Sequence, residues 1–212
     1  MKNWNQISKR EKLEIFSKIA AEKGISTYTV EKDWWITEAV YLIFQTRLST
    51  HLILKGGPAF NKAWNLIEKF SNDIDLSLDI SFYGFKGAIT SRELATIQKR
   101  LYNYISQQFY PSLEQKFKDK ELNVVITLRE NDSAENVFIL EINYDSIVKY
   151  KSKTKSKITL KIDFKSHLET CKMKSFSSFV SSHYPDKIFP GIPVKIPCVN
   201  PESVFLLKDF LK

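Results

Sequence analysis

The stretch DIDLSLDI, Asp73 to Ile80, leaves the backbone little choice. Ile74, Leu76, Leu78 and Ile80 alternate strictly with Asp73, Asp75, Ser77 and Asp79. Successive side chains of a strand point to opposite faces, so the pattern fits a strand with one dry face and one acidic face. Asp73 and Asp75 then share a face, with Cβ atoms about 6.5–7 Å apart. Two carboxylates at that spacing can converge on one hard cation such as magnesium, which takes oxygen ligands and keeps phosphate oxygens in its remaining positions. They can also hold two ions about 3.5–4 Å apart. The plainer alternative is a solvent-facing strand with ordinary surface acids, but like charges on one face repel when no cation lies between them.

The segment before this strand narrows the choice. HLILK (His51 to Lys55) reads as a short buried strand and PAFNKAWNLI as a helix, with Phe60, Ala63, Trp64 and Ile67 on its buried side. Gly56 and Gly57 join the two. A glycine pair lets the backbone approach a ligand closely, and the N–H groups of the following helix attract phosphate. Pro58 suits a first helical turn, where its missing N–H costs nothing. Most glycine pairs are only turns, so the pair gains meaning from the aspartates that follow.

A third carboxylate is expected from a neighbouring strand. KITLKIDF (Lys157 to Phe164) turns Ile158, Leu160, Ile162 and Phe164 one way and Thr159, Lys161 and Asp163 the other. Asp163 would share the Asp73/Asp75 face if the two strands lie side by side. Glu141 in VFILEINY competes, but its same-face neighbours Val137 and Ile139 are apolar.

The rest of the chain reads as an α/β (α+β) domain, a mixed β-sheet flanked by helices. One domain over residues 1–212 is expected, with a helical N-terminal segment over 1–48 packed on it. Ser8 and Glu11 form a capping box, Leu13, Phe16, Ile19 and Ala20 follow at helical spacing, and Gly24 ends the helix. Residues 26–48 make a second helix, apolar on more than one stripe and therefore buried. LNVVITLR and VFILEINY flank the polar turn ENDSAEN as a hairpin. Helices are expected over SRELATIQKRLYNYISQQF, opened by Thr90 or Ser91, around FSSFVSSHY, and over PESVFLLKDFLK. The last stops with apolar residues still running, as in a truncated chain or one whose end a partner covers.

Composition bounds partners and compartment. With 43% hydrophobic residues the chain is not of the weakly hydrophobic, disordered kind. No apolar run nears the ~18 residues of a membrane helix, and MKNWNQISKREK has no secretory h-region, so the expected place is the cytoplasm with no membrane partner. Cys171 and Cys198 lack zinc or redox spacing and read as buried small hydrophobes. His51, His167 and His183 show no paired spacing and read as structural; Trp34, Trp35 and Trp64 read as core. The net charge of +8 suits an anionic partner, and nine lysines against three acids lie between Asp145 and Lys174. The run KYKSKTKSK (Lys149 to Lys157) is either a hairpin tip that resists edge pairing or a phosphate-contacting patch.

LKGGPAFNKAW followed by FSNDIDLSLD resembles the signature of the AbiEii/AbiGii toxin family of nucleotidyltransferases, within the DNA polymerase β-like superfamily. VEKDWWITEAV is similar to the family's helical E-K-D-aromatic element, and NPESVFLLKDFL to the helix after its core. The resemblance implies a nucleotidyltransferase-like sheet and transfer of a nucleotide from an NTP to a hydroxyl of RNA, tRNA-like in kind, or of a protein. It implies Asp73, Asp75 and Asp163 as catalytic residues that hold Mg2+ (or Mn2+), and Lys55, Gly56, Gly57 and Lys161 as nucleotide-binding residues. Lys149 and Lys151 compete with Lys161 for the cation that precedes the third carboxylate. Toxin action in a bacterial toxin–antitoxin or phage-defence system is implied too, with an antitoxin protein as partner. One departure stands out: Pro58 replaces the family's Ser or Thr, which removes one phosphate contact. Lys32 and Asp33 match a family element, although a helix-surface ion pair would explain them equally well. The competing readings are a metal-dependent nuclease and a catalytically idle nucleic-acid-binding module.

Overall fold

The computed structural model describes residues 4–66, 71, 73–84, 90–129, 137–149, 156–165, 170–184 and 194–203. Seven strands run in the chain order β1 (Leu52–Lys55), β2 (Asp73–Asp79), β3 (Val124–Leu128), β4 (Val137–Tyr144), β5 (Ser156–Lys165), β6 (Cys171–Phe176) and β7 (Val194–Val199). They form one mixed sheet in the order β3-β4-β5-β2-β1-β7-β6. β2 is central, antiparallel to β1 and parallel to β5. The hairpin expected from LNVVITLR and VFILEINY is the antiparallel β3–β4 pair; its turn, residues 130–136, lies outside the described residues.

Alternation decides which face of the sheet is dry. Ile74, Leu76 and Leu78 of β2 are buried level with Leu160, Ile162 and Phe164 of β5. One apolar cluster joins these residues to helices α1 (Lys9–Lys23), α2 (Thr27–Ile43), α4 (Ser91–Tyr104), α5 (Tyr110–Asp119) and α6 (Phe179–His183), through Phe16, Ile36, Leu101, Phe117 and Val180. Each such side chain contributes about 1.5–3 kcal/mol by leaving water. The N-terminal helices therefore share the core of the sheet. α1 carries the expected capping box, with Ser8 accepting from the Glu11 N–H, and ends at Gly24 in the left-handed region, φ 66°. Leu13, expected inside, is exposed.

Three further expectations change. The helix expected to end at Phe109 runs on through a π-type segment (Ile105–Phe109) into α5. Pro111 lacks an N–H and clashes with the carbonyl four residues back, and the wider i→i+5 turn relieves that conflict. The helix expected over PAFNKAWNLI is a short α-turn, α3 (Gly56–Pro58), continued by a π-turn (Ala59–Ala63), and Asn65 then adopts a positive φ of 53°. Pro58 and Ala59 rather than Phe60 are its buried residues, Trp64 is half-buried, and Ile67 lies outside the described residues. Cys198 is buried, but Cys171, on the edge strand β6, is exposed. Of the final helix only residues 201–203 are described.

Candidate active site

β1 ends at Lys55 where β2 begins, because the two strands are antiparallel with Lys55 level with Asp75. The chain leaves β1 through Gly56, whose φ of 67° lies in the left-handed region. A Cβ at Gly56 would collide with the Asp75 carboxylate, and one at Gly57 with the Ser71 side chain. Both glycines are thus required by close approach: the turn lies directly against the acidic end of β2. Ser71 fixes that end, its hydroxyl accepting from the Asp73 N–H and lying equally near the Asp73 carbonyl, at 3.3 Å each.

β5 lies beside β2 in parallel, with Asp73 level with Thr159, Asp75 with Lys161 and Ser77 with Asp163. The three aspartates and Lys161 therefore share one face, to which β1 adds Lys55. The Lys161 ammonium donates to Asp73 Oδ2 at 2.8 Å, and the Lys55 ammonium donates to Asp163 Oδ2. Burial raises Asp75 above the ordinary carboxylate range; Lys161 and Lys55 oppose that shift, whereas Asp73 and Asp163 add to it. The bond to Asp73 raises Lys161, with burial opposing. The other four charged groups all lie within electrostatic reach of Asp75. Ser77 and Ile53 are level neighbours and buried on this same face, while Asp163 Oδ1 is buried without a hydrogen-bond partner among the described residues.

A hard cation finds suitable donors here, since the set is made of carboxylates and one oxygen is unpartnered. As the side chains stand, however, Asp73 and Asp163 are each paired with a lysine. No three His, Cys, Asp or Glu side chains among the described residues converge closely enough to hold a metal. Glu141, the rejected competitor, stands level with Asp73 two strands away, but it is held by Arg129 and by Lys157 at 2.7 Å. Lys149 is described, but Lys151, Lys153 and Lys155 lie outside the described residues.

The residues of VEKDWW are not a helix surface. Glu31, Lys32 and Asp33 are all buried. Glu31 accepts from the Ser146 hydroxyl and the Ile147 N–H, and Asp33 pairs with Lys62, not with Lys32. Lys62 was not singled out in the sequence; its place five residues after Gly57, in the turn that leaves the loop, was the available signal. A cavity of about 140 Å³, lined in part by Trp4, Trp34, Trp35 and Lys12, lies by the N-terminal helices and holds none of the three aspartates.

His51 packs edge-on against Phe82 and His183 lies 3.3 Å from Glu22, both away from the aspartates; His167 lies outside the described residues. No helix among the described residues is long and apolar enough to cross a membrane. A family model described as nucleotidyl transferase AbiEii toxin, Type IV TA system, matches residues 41–208. No curated protein matches the chain.

Proposed function

Because the chain belongs to the AbiEii nucleotidyl transferase toxin family, we propose that it transfers a nucleotide from an NTP to a hydroxyl of RNA, tRNA-like in kind, or of a protein. One observation carries the reading. Lys55, Asp73, Asp75, Lys161 and Asp163 come from three adjacent strands to one patch, beneath a glycine turn too tight for side chains.

The acceptor oxygen would form a bond to the α-phosphorus while the bond to the β-phosphate oxygen breaks and pyrophosphate leaves. Lys55 and Lys161 offer ammonium donors to the phosphates, and charge-assisted bonds of this kind are the strong ones. Gly56 and Gly57 let backbone amides approach where any side chain would intervene. Asp73, Asp75 and Asp163 would hold magnesium, or manganese in its place, which supplies positive charge at the phosphate oxygens and lowers the pKa of the attacking hydroxyl. Asp75, at the centre and partly covered by the turn, orients the arrangement.

The chain would act in the cytoplasm, where NTPs and RNA meet. The family's Type IV toxin–antitoxin description implies an antitoxin partner. Incubation with each labelled NTP, magnesium and total tRNA tests the reading. Label gained by RNA or protein supports it, RNA cleavage favours the nuclease, and neither favours the idle module.

A further inference from the structure

Two lysine–aspartate pairs cross the site, and neither joins residues that lie level in the sheet. Lys55 and Lys161 are both level with Asp75, from opposite sides. Lys161 reaches from β5 to Asp73, and Lys55 reaches from β1 over β2 to Asp163 on β5. β1 and β5 stand two strand spacings apart, about 9.6 Å. The β2 residue level with Asp163 is Ser77, small enough to let the lysine stem pass.

Two of the three carboxylates a cation would need are therefore already neutralised by the two ammonium groups a triphosphate would need. We propose that Lys55 and Lys161 are exchangeable counter-ions that make metal and triphosphate bind together. The inference rests on the metal-and-NTP reading above. A cation arriving alone must displace ammonium groups from Asp73 and Asp163. A triphosphate arriving alone draws the lysines away and faces three bare carboxylates. When both arrive, the charges re-pair, ammonium with phosphate and carboxylate with cation, and no group is left alone. Exposure permits the exchange: the side chains of Lys161 and Asp73 are 40% and 36% exposed, and those of Lys55 and Asp163 are 22% and 20%. Coupling is reciprocal, so each ligand tightens the other by the same factor.

The test uses the full chain and measures each ligand without the other. Manganese binding in phosphate-free buffer is read from the electron paramagnetic resonance of the free ion, for wild type, Lys55→Met, Lys161→Met and the double variant. Inorganic tripolyphosphate binding is read by calorimetry in EDTA. Each lysine substitution is expected to tighten manganese about tenfold and to weaken tripolyphosphate by a similar factor. A damaged fold weakens both ligands, so opposite movement in the same variant is specific. Adding Asp75→Asn to Lys161→Met must remove the manganese gain, which otherwise belongs to another site. Unchanged or weaker manganese binding in variants that keep wild-type circular dichroism would overturn the proposal. If the lysines govern manganese as expected but no NTP is consumed, the coupling stands and the proposed reaction falls. If nucleotide is transferred while manganese ignores the lysines, only the coupling falls.

Discussion

Two lysine–aspartate clusters among the described residues share one chemistry in opposite surroundings. Asp33 and Lys62 are 0% and 6% exposed, with the ammonium over the rings of Phe176 and Phe179 at 5.3 and 5.0 Å. Asp33 also accepts the Phe179 N–H at 2.7 Å, so one carboxylate ties α2 to the turn after the glycine loop and to the start of α6. Burial lowers the Lys62 pKa and Asp33 pulls it back. That burial leaves the pair little access to water. The Lys55–Asp163 and Lys161–Asp73 pairs are half-open and cross a face that ends in a glycine turn. Burial thus separates an ion pair that holds the fold from ion pairs that can change partners.

The most drastic way to break that comparison is Asp75→Asn. Transfer activity should fall to background while the fold persists, because the side chain lies on the half-open face. Stability should carry a sign as well. The native Asp75 pKa lies above its ordinary value, mainly through burial. Such a group contributes its full stability below the unfolded pKa and loses it as pH rises through the native value. Asp75→Asn removes that loss, so its melting temperature relative to wild type should climb from about pH 4 upward. Melting curves at pH 4, 5, 6 and 7 check the trend, and a variant that becomes less stable with rising pH would contradict the burial of Asp75.

The buried pair should behave in the opposite way. Asp33→Ala leaves the Lys62 ammonium without its partner inside the core, and loss of one member of a buried pair costs roughly 3–5 kcal/mol. Urea unfolding should show that loss, with activity falling as the folded fraction falls. Removing one member of an exposed pair is a smaller matter. Lys161→Met should change unfolding free energy by no more than about 1 kcal/mol, since half-open pairs contribute little. If Asp33→Ala and Lys161→Met proved equally costly, the division between holding and exchanging pairs would fail.

The acidic strand was legible because alternation over DIDLSLD has no other regular solution; β2 spans Asp73–Asp79, one residue short of the expected Ile80, which opens a 3-10 turn. The capping box at Ser8 was legible for a similar reason: it is local, and Ser8 and Glu11 specify it; Thr90, one of two expected openings of its helix, makes one with Glu93. Asp33–Lys62 was not legible. Its partners stand 29 residues apart, and only the packing of α2, the loop turn and α6 brings them together. The lysine crossings were hidden too, because a register of strands places Lys55 and Lys161 on the site face but not the carboxylates they choose. Trp64 looked like core by helical spacing. The π-turn instead leaves it half-buried, with Lys174 4.2 Å from its ring. Backbone irregularity at a loop is where periodicity arguments lose their footing.

The smallest expected effect belongs to Pro58, which stands between the two clusters, just after the glycines and four residues before Lys62. Its side chain is buried, so a serine hydroxyl there would face the core rather than a phosphate. Pro58→Ser would restore one backbone N–H in a first helical turn, where N–H groups lack intrahelical acceptors. A bond from that group to a charged phosphate is worth roughly 1.5–3 kcal/mol. Against it stand the buried hydroxyl, about 1–3 kcal/mol unless bonded, and the wider freedom of the unfolded chain, about 0.4–1 kcal/mol. The first term acts on binding and the last two on folding, so NTP affinity should tighten by about tenfold, the low end of that range, while the melting temperature drops by a few degrees. Calorimetry with a non-hydrolysable NTP and a melting curve measure both. Tightening well beyond tenfold would mean that position 58 meets the phosphate directly and belongs with the exchanging cluster. A loss of stability with no gain in affinity would assign it to the buried one.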